Sequence, residues 1–334
     1  MKIKLKKILL NTSMIIISSL FAILSVEIIL RTVKFEFKLY PSKVQFGWPD
    51  PTFIKKWYIA DKEKLWVQKD YYKKIDAWKG KKIDIIFMGC SCTEFGKFDA
   101  YLALRMEEEY PSAKINFLNF GVGGWTTYQG LKQMNDVIAL KPKIITIYYG
   151  WNDHWNTFGL EDKKIGKFNL KKPELLVKLS ERFRIIQLIN KAFLSHKFKA
   201  VKDSYRVPLK DFSDNLKNII NIARKHKIIP VLLTAPAAHK KGKEPEYLKK
   251  RHLKNLSELI PLHKKYVQAV RKIAKSQKVY LVDLYKHFKE IPSHALAKSF
   301  CKDGIHLTEM GSQKITDYLY NFLKNKKLIP KILD

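Results

Sequence analysis

The stretch FMGCSCTEFG, residues 87–96, decides the fold because it joins an apolar run to a cluster of small residues. The run before it, KIDII at residues 82–86, is rich in β-branched residues and is typical of a buried strand. The small residues that follow fit two interpretations. They form either a tight turn into a helix that Ser91 caps, or a turn that presents Ser91 as a nucleophile.

From residue 82 onward, apolar runs of strand length alternate with segments of helical periodicity. The runs are IDIIFMG (83–89), KINFLNFGV (114–122), KIITIYYG (143–150), IIPVLLTAP (228–236) and VYLVDLY (279–285). The helical segments cover about 98–110, 126–140, 213–226, 245–276 and 308–325. Strands that are apolar throughout and alternate with helices indicate a parallel sheet covered on both faces. The sequence therefore predicts an α/β fold, a three-layer α/β/α doubly wound parallel sheet.

The N-terminus carries a basic tip, MKIKLKK, and then an apolar run of 23 residues, residues 8–30. A helix of this length reaches about 34 Å, enough to cross the hydrocarbon core of a bilayer. We predict that residues 1–31 form a cytoplasmic tip and an uncleaved transmembrane signal-anchor, with the rest of the chain extracytoplasmic. A cleaved signal peptide and a buried helix are the alternatives. The cations Arg31, Lys34 and Lys38 after the span weaken the orientation signal.

The remaining chain divides into two predicted parts. Residues 32–80 are rich in aromatic residues and contain the turn signals Pro41, Pro51 and Gly80, so we expect a juxtamembrane segment that packs on the next domain. Residues 81–334 are expected to form that domain. Within it, residues 155–210 have a helical rather than a strand pattern and are predicted to be a helical insertion.

The net charge of +33 results from 64 Lys and Arg against 31 Asp and Glu. The excess is mostly lysine spread along the whole chain, whereas nucleic-acid surfaces concentrate arginine and aromatic residues. We therefore expect no nucleic-acid partner and attribute the charge to solvated faces or to attraction for an anionic membrane or polymer. Three cysteines, without a second pair at zinc-site spacing, predict neither a disulfide framework nor a metal site, and no cofactor is expected.

Candidate catalytic residues follow the predicted strands, at the edge where a doubly wound sheet places its site. Ser91 follows the first strand, and a serine hydroxyl needs an adjacent base to become a nucleophile. His306 is the candidate base because its pKa is close to neutral. Asp303 lies three residues earlier, so on a turn its carboxylate can accept a hydrogen bond from the imidazole and fix its tautomer.

Donors for an oxyanion follow two further strands. The pair Gly123-Gly124 lets a backbone N–H point into the site without a Cβ in the way, and the amide of Asn152 can aim at the same point. The N–H of Ser91 is the third donor. Each of these residues alone has a plainer interpretation as a cap, a turn or a core residue. Each plainer interpretation can hold for one residue alone. Together they do not explain why all the elements lie in order at one end of a parallel sheet.

These motifs resemble those of the SGNH (GDSL-type) hydrolase family over roughly residues 83–325. Four motifs carry the resemblance: GCSCTEFG with Ser91, NFGVGGWTTYQG with Gly124, YYGWNDHW with Asn152, and DGIHLTEMG with Asp303 and His306. The resemblance implies a flavodoxin-like sheet and a serine nucleophile, an oxyanion hole and a catalytic histidine at these positions. The apolar span followed by Arg31 is also similar to membrane-tethered members of the family.

The resemblance implies a serine esterase, of O-deacetylase type, that forms an acyl-serine intermediate on an extracytoplasmic acetylated carbohydrate or lipid. An O-acyltransferase that modifies cell-envelope polysaccharide is one alternative, and a non-catalytic scaffold that binds an anionic polymer is another. The family usually has Asp before the nucleophile, where this chain has Cys90. Cys90 and Cys92 are alternative nucleophiles or buried packing residues. Cys90, His154 and Trp155 are candidate pocket residues, with plain packing as the alternative.

Overall fold

The structure, a computed structural model, describes residues 2–37, 57–156, 161–170, 174–197, 205–253 and 255–333. The N-terminal part contains α1 (Lys2–Thr32), β1 (Tyr58–Asp61), β2 (Leu65–Gln68) and α2 (Tyr71–Trp78). Then come β3 (Ile85–Gly89), α3 (Ser91–Glu94), α4 (Phe98–Glu109), β4 (Phe117–Gly121), α5 (Thr127–Leu140) and β5 (Ile144–Tyr148). Three helices follow: α6 (Asp162–Leu170), α7 (Glu174–Arg182) and α8 (Arg184–Lys197). The last part contains α9 (Leu209–Lys225), β6 (Ile229–Leu233), α10 (Glu246–His252), a 3-10 helix (Leu256–Glu258), α11 (Leu259–Ser276), β7 (Tyr280–Val282), α12 (Leu284–Glu290), α13 (Ser293–Ser299), α14 (Glu309–Asn325) and α15 (Ile329–Leu333).

The central sheet has five parallel strands in the order β4-β3-β5-β6-β7. This is the flavodoxin-like order, in which the direction of strand addition reverses beside β3. Right-handed crossovers then place α4 and α14 on one face and α5, α9 and α11 on the other. Helices α4 and α14 do pack together, and α9 packs against both α5 and α11. The predicted three-layer fold and all five predicted strands are confirmed.

Strand β3 is the most completely buried element next to the site. Ile85, Ile86, Phe87 and Met88 are all fully buried, as an apolar run covered on both faces requires. The Phe87 ring meets Phe98 of α4 edge to face at 5.7 Å. Because side chains on both faces of β3 are locked in packing, the residues that follow the strand start from a fixed position.

The predicted helix 245–276 is wrong as a single element. Its chain leaves the helical conformation at Leu253, where φ is −135° and ψ is 147°. Helical structure resumes after Asn255, whose side chain accepts a hydrogen bond from the N–H of Ser257 at 3.1 Å. A capping residue in the middle of a periodic apolar pattern marks this interruption.

The hairpin β1–β2 and helix α2 are elements that the strand and helix patterns did not predict. Strands β1 and β2 pair antiparallel, with Tyr58 opposite Gln68. Trp66 is fully buried, its indole N–H donates to the carbonyl of Gly123 at 2.9 Å, and Trp125 donates to the carbonyl of Trp66 at 2.9 Å. The hairpin therefore packs beside the second predicted motif. Lys38, Pro41 and Pro51, like the rest of 38–56, lie outside the described residues, and the predicted division at 31 and 80 stays a prediction.

Helices α6, α7 and α8 occupy the region predicted to be a helical insertion. An antiparallel bridge between Asn156 and Tyr205 joins the two ends of this region, which we call the neck of the insertion. Among the described residues, α1 is the helix that is long and apolar enough to cross a membrane; its window Lys6–Thr32 has a mean hydropathy of 2.4. This result rests on the length and the composition of the helix.

Replacing Ile145 by Ala should destabilise the domain strongly, because this fully buried side chain lies on the central strand β5. We expect a loss of about 2–5 kcal/mol in the free energy of unfolding, the usual cost of emptying such a site. Chemical denaturation of the full chain in mild detergent measures it. The matched control is Leu104→Ala on α4, where the side chain is 56% exposed and a change within about 0.5 kcal/mol is expected. Equal losses for the two variants would contradict the assignment of the core.

Candidate active site

Ser91 lies in the sharp turn from β3 into the short helix α3. Cys90 occupies the N-cap position, with an extended backbone, and Ser91 is the first helical residue. The turn is tight enough to exclude a side chain at Gly89, where a Cβ would lie 2.0 Å from Thr93 Oγ1. Ser91 is therefore not the helix cap, and its hydroxyl is available for a contact outside α3.

That contact is with His306, and it begins a chain of three side chains. Ser91 Oγ lies 2.8 Å from His306 Nε2, and His306 Nδ1 lies 2.5 Å from Asp303 Oδ2. The other oxygen of Asp303 accepts hydrogen bonds from the backbone N–H groups of Ile305 at 2.8 Å and His306 at 2.9 Å. With its Nδ1 proton donated to the carboxylate, the neutral imidazole presents a lone pair at Nε2 to the serine hydroxyl.

The negative charge of Asp303 makes the His306 imidazole a stronger base. Burial by itself would lower the pKa of His306, but the hydrogen bond and negative charge of Asp303 outweigh it and raise that pKa above 6.5. Burial would raise the pKa of Asp303, yet the hydrogen bonds from His306 and from two backbone N–H groups hold it below 3.8. The carboxylate is therefore ionised at neutral pH and stabilises an imidazolium beside it.

The loop after β4 contributes the predicted oxyanion donor. Gly124 has a φ of +77°, a left-handed conformation that favours glycine. Within the part of the chain that the structure describes, the Gly124 N–H makes no hydrogen bond. Asn152 donates one amide hydrogen to the carbonyl of Trp125 at 2.9 Å. Its amide carries a second hydrogen, so Asn152 can hold this loop and still donate to a ligand.

Side chains from distant segments hold the two peptide groups of this loop. The Gly123 N–H donates to Glu94 at 2.5 Å, and the hydroxyl of Tyr58 donates to the same carboxylate at 2.6 Å. The Gly124 carbonyl accepts from Arg206 Nη1 at 2.7 Å. Arg206 is in turn held by a buried ion pair with Asp162, also 2.7 Å long. Together Glu94 and Arg206 fix the loop while leaving the Gly124 N–H unused.

The sequence motifs did not predict that Glu94 and Arg206 hold this loop. Glu94 is the carboxylate of the first motif, three residues after Ser91, and that position on a helix start was the available signal. Burial raises the pKa of Glu94 despite its hydrogen bonds from Tyr58, Gln68 and the Gly123 N–H. Both oxygens of this partly buried carboxylate accept hydrogen bonds, which offset part of the cost of burial.

Asp153, the neighbour of Asn152, is a further residue whose role was missed. It is completely buried and accepts hydrogen bonds from the Thr127 N–H at 2.8 Å and the Thr127 hydroxyl at 2.6 Å. It also accepts from the Gly150 N–H at 3.1 Å. Burial raises the pKa of Asp153 to about 7. Asp153 therefore ties the loop of Asn152 to the start of α5.

The three candidate pocket residues are buried behind the site. Cys90 is 1% exposed, His154 is fully buried and Trp155 is 5% exposed. His154 Nε2 lies 2.9 Å from His263 Nδ1. This burial favours the packing interpretation, while a role in a pocket stays a prediction. Cys92 is also 1% exposed, so neither thiol offers the surface that a nucleophile needs.

Among the described residues, no group of three His, Cys, Asp or Glu side chains is placed to hold a metal ion.

Solved structures with a similar chain course include a lipase/acylhydrolase from Enterococcus faecalis, with 17% identity and a TM-score of 0.47 over 73% of this chain and 96% of that one. An acetylxylan esterase from Geobacillus stearothermophilus has 17% identity and a TM-score of 0.46, over 73% of this chain and 95% of that one. A GDSL-like lipase from Bacteroides thetaiotaomicron has 18% identity and a TM-score of 0.47, over 77% and 97%. A search of curated protein sequences finds no match.

A family model described as the GDSL-like lipase/acylhydrolase family matches residues 85–314, which is more than half of the chain. The matched range contains the five strands of the sheet and the four motifs on which the resemblance rests. The resemblance is thereby confirmed: the chain belongs to the GDSL-like lipase/acylhydrolase family and is an SGNH-type serine hydrolase.

Proposed function

We propose that this protein is a membrane-anchored serine esterase of O-deacetylase type, with Ser91 as its nucleophile. The observation that carries the proposal is the hydrogen-bonded chain from Ser91 through His306 to Asp303. It lies at the carboxyl ends of the parallel strands, where doubly wound folds bind their ligands. Membership of an acylhydrolase family supports the same reaction class.

In the proposed acylation step, Ser91 Oγ attacks the ester carbonyl and His306 Nε2 takes the hydroxyl proton. The ionised Asp303 stabilises the resulting imidazolium and keeps the ring oriented. When the tetrahedral intermediate collapses, the bond to the leaving alcohol breaks. The alcohol receives the proton from His306, and the acyl group remains on Ser91.

The negative charge on the carbonyl oxygen requires donors that are already in place. We assign the backbone N–H groups of Ser91 and Gly124 and the Asn152 amide to this role. The Ser91 N–H has no partner within α3 because it lies at the helix start. Removal of one such donor typically costs about 2.7–4 kcal/mol of transition-state stabilisation. In deacylation, water loses a proton to His306 and attacks the acyl carbon. The bond from that carbon to Ser91 Oγ then breaks, and Ser91 takes the proton back from His306.

Aromatic and charged side chains bear on the substrate and on the side of the membrane where the domain lies. Buried aromatic side chains, including the stacked pair Trp151 and Trp155, flank Asn152 and favour a small acyl group such as acetyl. The lysine-rich tip before α1 favours a cytoplasmic N-terminus and an extracytoplasmic domain. The net charge of +33 suits an acetylated carbohydrate or lipid in an anionic envelope.

Replacing Ser91 by Ala in the full chain should abolish hydrolysis of p-nitrophenyl acetate, because it removes the hydroxyl that we propose carries the acyl intermediate. We expect a loss of at least about 10⁴-fold in kcat and no labelling by a fluorophosphonate probe. The matched control is Ser213→Ala on α9, whose hydroxyl bonds its own helix and whose loss should leave both readouts unchanged. Equal labelling of the Ser91→Ala chain and the unchanged chain would refute the nucleophile. Faster turnover of the octanoyl than of the acetyl ester would refute the deacetylase assignment.

The Asp303→Asn variant should change the pH profile in a defined direction. In the unchanged chain Asp303 raises the pKa of His306 above 6.5, so kcat/KM should fall as the pH drops through that raised pKa. The amide removes the charge and leaves burial, which lowers the pKa. The acidic limb should therefore move to lower pH, with a plateau lower by about 10⁴-fold. Asp317→Asn, at an exposed carboxylate on α14, is the control. A limb that stays in place in Asp303→Asn would contradict the proposed role.

Glu94→Ala should impair catalysis by releasing the Gly123 N–H, because a shift of about 1 Å in a catalytic group costs on the order of 100-fold. We expect kcat to fall by about this factor with little change in KM, since the ground state does not use the oxyanion donors. Glu94→Gln keeps an acceptor oxygen and should recover part of the rate. The control is Glu108→Ala, which removes an exposed carboxylate of α4. A rise in KM without a fall in kcat would show that Glu94 does not position this loop.

A further inference from the structure

The insertion carries a cluster of large apolar side chains that the core does not bury. Six of them are exposed by 38–65%, and we call them the α7–α8 apolar face: Leu175, Leu176, Phe183, Leu188, Ile189 and Phe193. Outside α1, the described residues expose only seven other large apolar side chains, and these are spread over the rest of the chain. Such a concentration marks an interaction surface.

The start of α8 is fixed to the last turns of α1. The carboxylate of Glu27 accepts hydrogen bonds from the backbone N–H groups of Arg184 at 3.0 Å and Ile185 at 2.9 Å. It thus caps α8 from another helix. Arg31 forms an ion pair with Glu27 at 2.7 Å and donates to the carbonyl of Arg182 at 2.7 Å. Helix α8 therefore begins at the level where the apolar span ends.

The chain that leaves α1 continues along α8. The Phe37 N–H donates to Gln187 at 3.0 Å, and the ammonium of Lys191 lies 5.6 Å from the centre of the Phe35 ring. Lys191 and the guanidinium group of Arg31 lie at this junction. Cations beside an apolar helical face are the composition of segments that lie in the interface of an anionic bilayer.

We propose that residues 175–193 lie in the interface of the same bilayer that α1 crosses, with the α7–α8 apolar face among the acyl chains next to the headgroups. The inference rests on the proposed membrane anchor. Its occupant is the bilayer because α8 packs against α1, whose last turns also expose apolar side chains, with Ile28 54% and Ile29 59% exposed. A helix fixed at the end of a span is already at interfacial depth.

This contact would fix the active site relative to the membrane. The neck of the insertion is held by the bridge of Asn156 with Tyr205 and by the Arg206 N–H, which donates to the carbonyl of Trp155 at 2.9 Å. Arg206 also binds the carbonyl of Gly124. Arg206 therefore contacts both the base of the insertion and the loop of Gly124. The domain would rest on the bilayer and take esters close to its surface, rather than move freely on a tether.

The test uses the full chain with Cys301→Ser, so that a single new cysteine can carry an environment-sensitive fluorophore. One chain is placed in each lipid nanodisc of anionic and zwitterionic phospholipids that contain a shallow nitroxide-labelled lipid. A label at Phe193→Cys should be quenched about twofold or more, because an interfacial helix inserts to the depth of the headgroup and acyl boundary. A label at Leu104→Cys, an apolar position of similar exposure on α4, should not be quenched. The Cys301→Ser chain without a new cysteine gives the background from buried thiols.

Equal, low quenching at 193 and 104 would overturn the proposal. A label at 193 that is shielded from water but not quenched by lipid would also overturn it, since another segment of the chain then covers the face. A second set of discs, each holding two chains, tests whether another copy covers the face. Shielding of the label at 193 in that set alone would also overturn the proposal. A label at Ile17→Cys, in the middle of α1, separates this inference from the anchor itself. Quenching at 17 but not at 193 refutes only the interfacial position of residues 175–193. In discs whose nitroxide lies deep among the acyl chains, no quenching at 17 refutes the anchor.

Discussion

One hydrogen bond, between Ser91 Oγ and His306 Nε2, joins residues 215 positions apart, and the proposed chemistry depends on its 2.8 Å length. Neither end is set by local sequence alone. Ser91 is placed by β3, whose burial on both faces leaves no freedom of position. His306 is placed by Asp303, which binds both the ring and the His306 backbone N–H. In the proposed mechanism the His306 imidazole is a preorganised base, because Asp303 fixes its turn opposite the rigid end of β3.

Three carboxylates near the site show how environment divides their tasks. Hydrogen bonds from His306 and the backbone keep Asp303 ionised, so it can balance an imidazolium. Burial dominates at Asp153 and Glu94, and their pKa values rise. Both still accept several hydrogen bonds, which offset part of the cost of burial. Both accept hydrogen bonds from backbone N–H groups of the loops next to the site, so their effect is to fix the loops of Gly124 and Asn152.

The sequence predicted the sheet because strands leave a local pattern, and it pointed to Ser91, Asp303 and His306, which the structure brings within hydrogen-bond distance of one another. A strand buried on both faces is an apolar run, and a residue needed at its end follows within a few positions. The hairpin β1–β2 left no such pattern, since its strands have four residues each. The contacts of Glu94 with Gly123 and of Arg206 with Gly124 could not be predicted either. They join segments 29 and 82 positions apart, and such pairs follow only from the tertiary fold.

Glu27 explains why an apolar helix of this length tolerates a carboxylate near its end. A charge left alone in an apolar span is costly, and a hydrogen-bonded one at the interface is much less so. Glu27 uses its oxygens to cap α8 and to bind Arg31, so its charge is compensated within the protein. Replacing it with an apolar residue would make the helix a simpler span but would release the insertion. The polar residue that weakens the span as a membrane signal is thus one of those that connect it to the hydrolase domain.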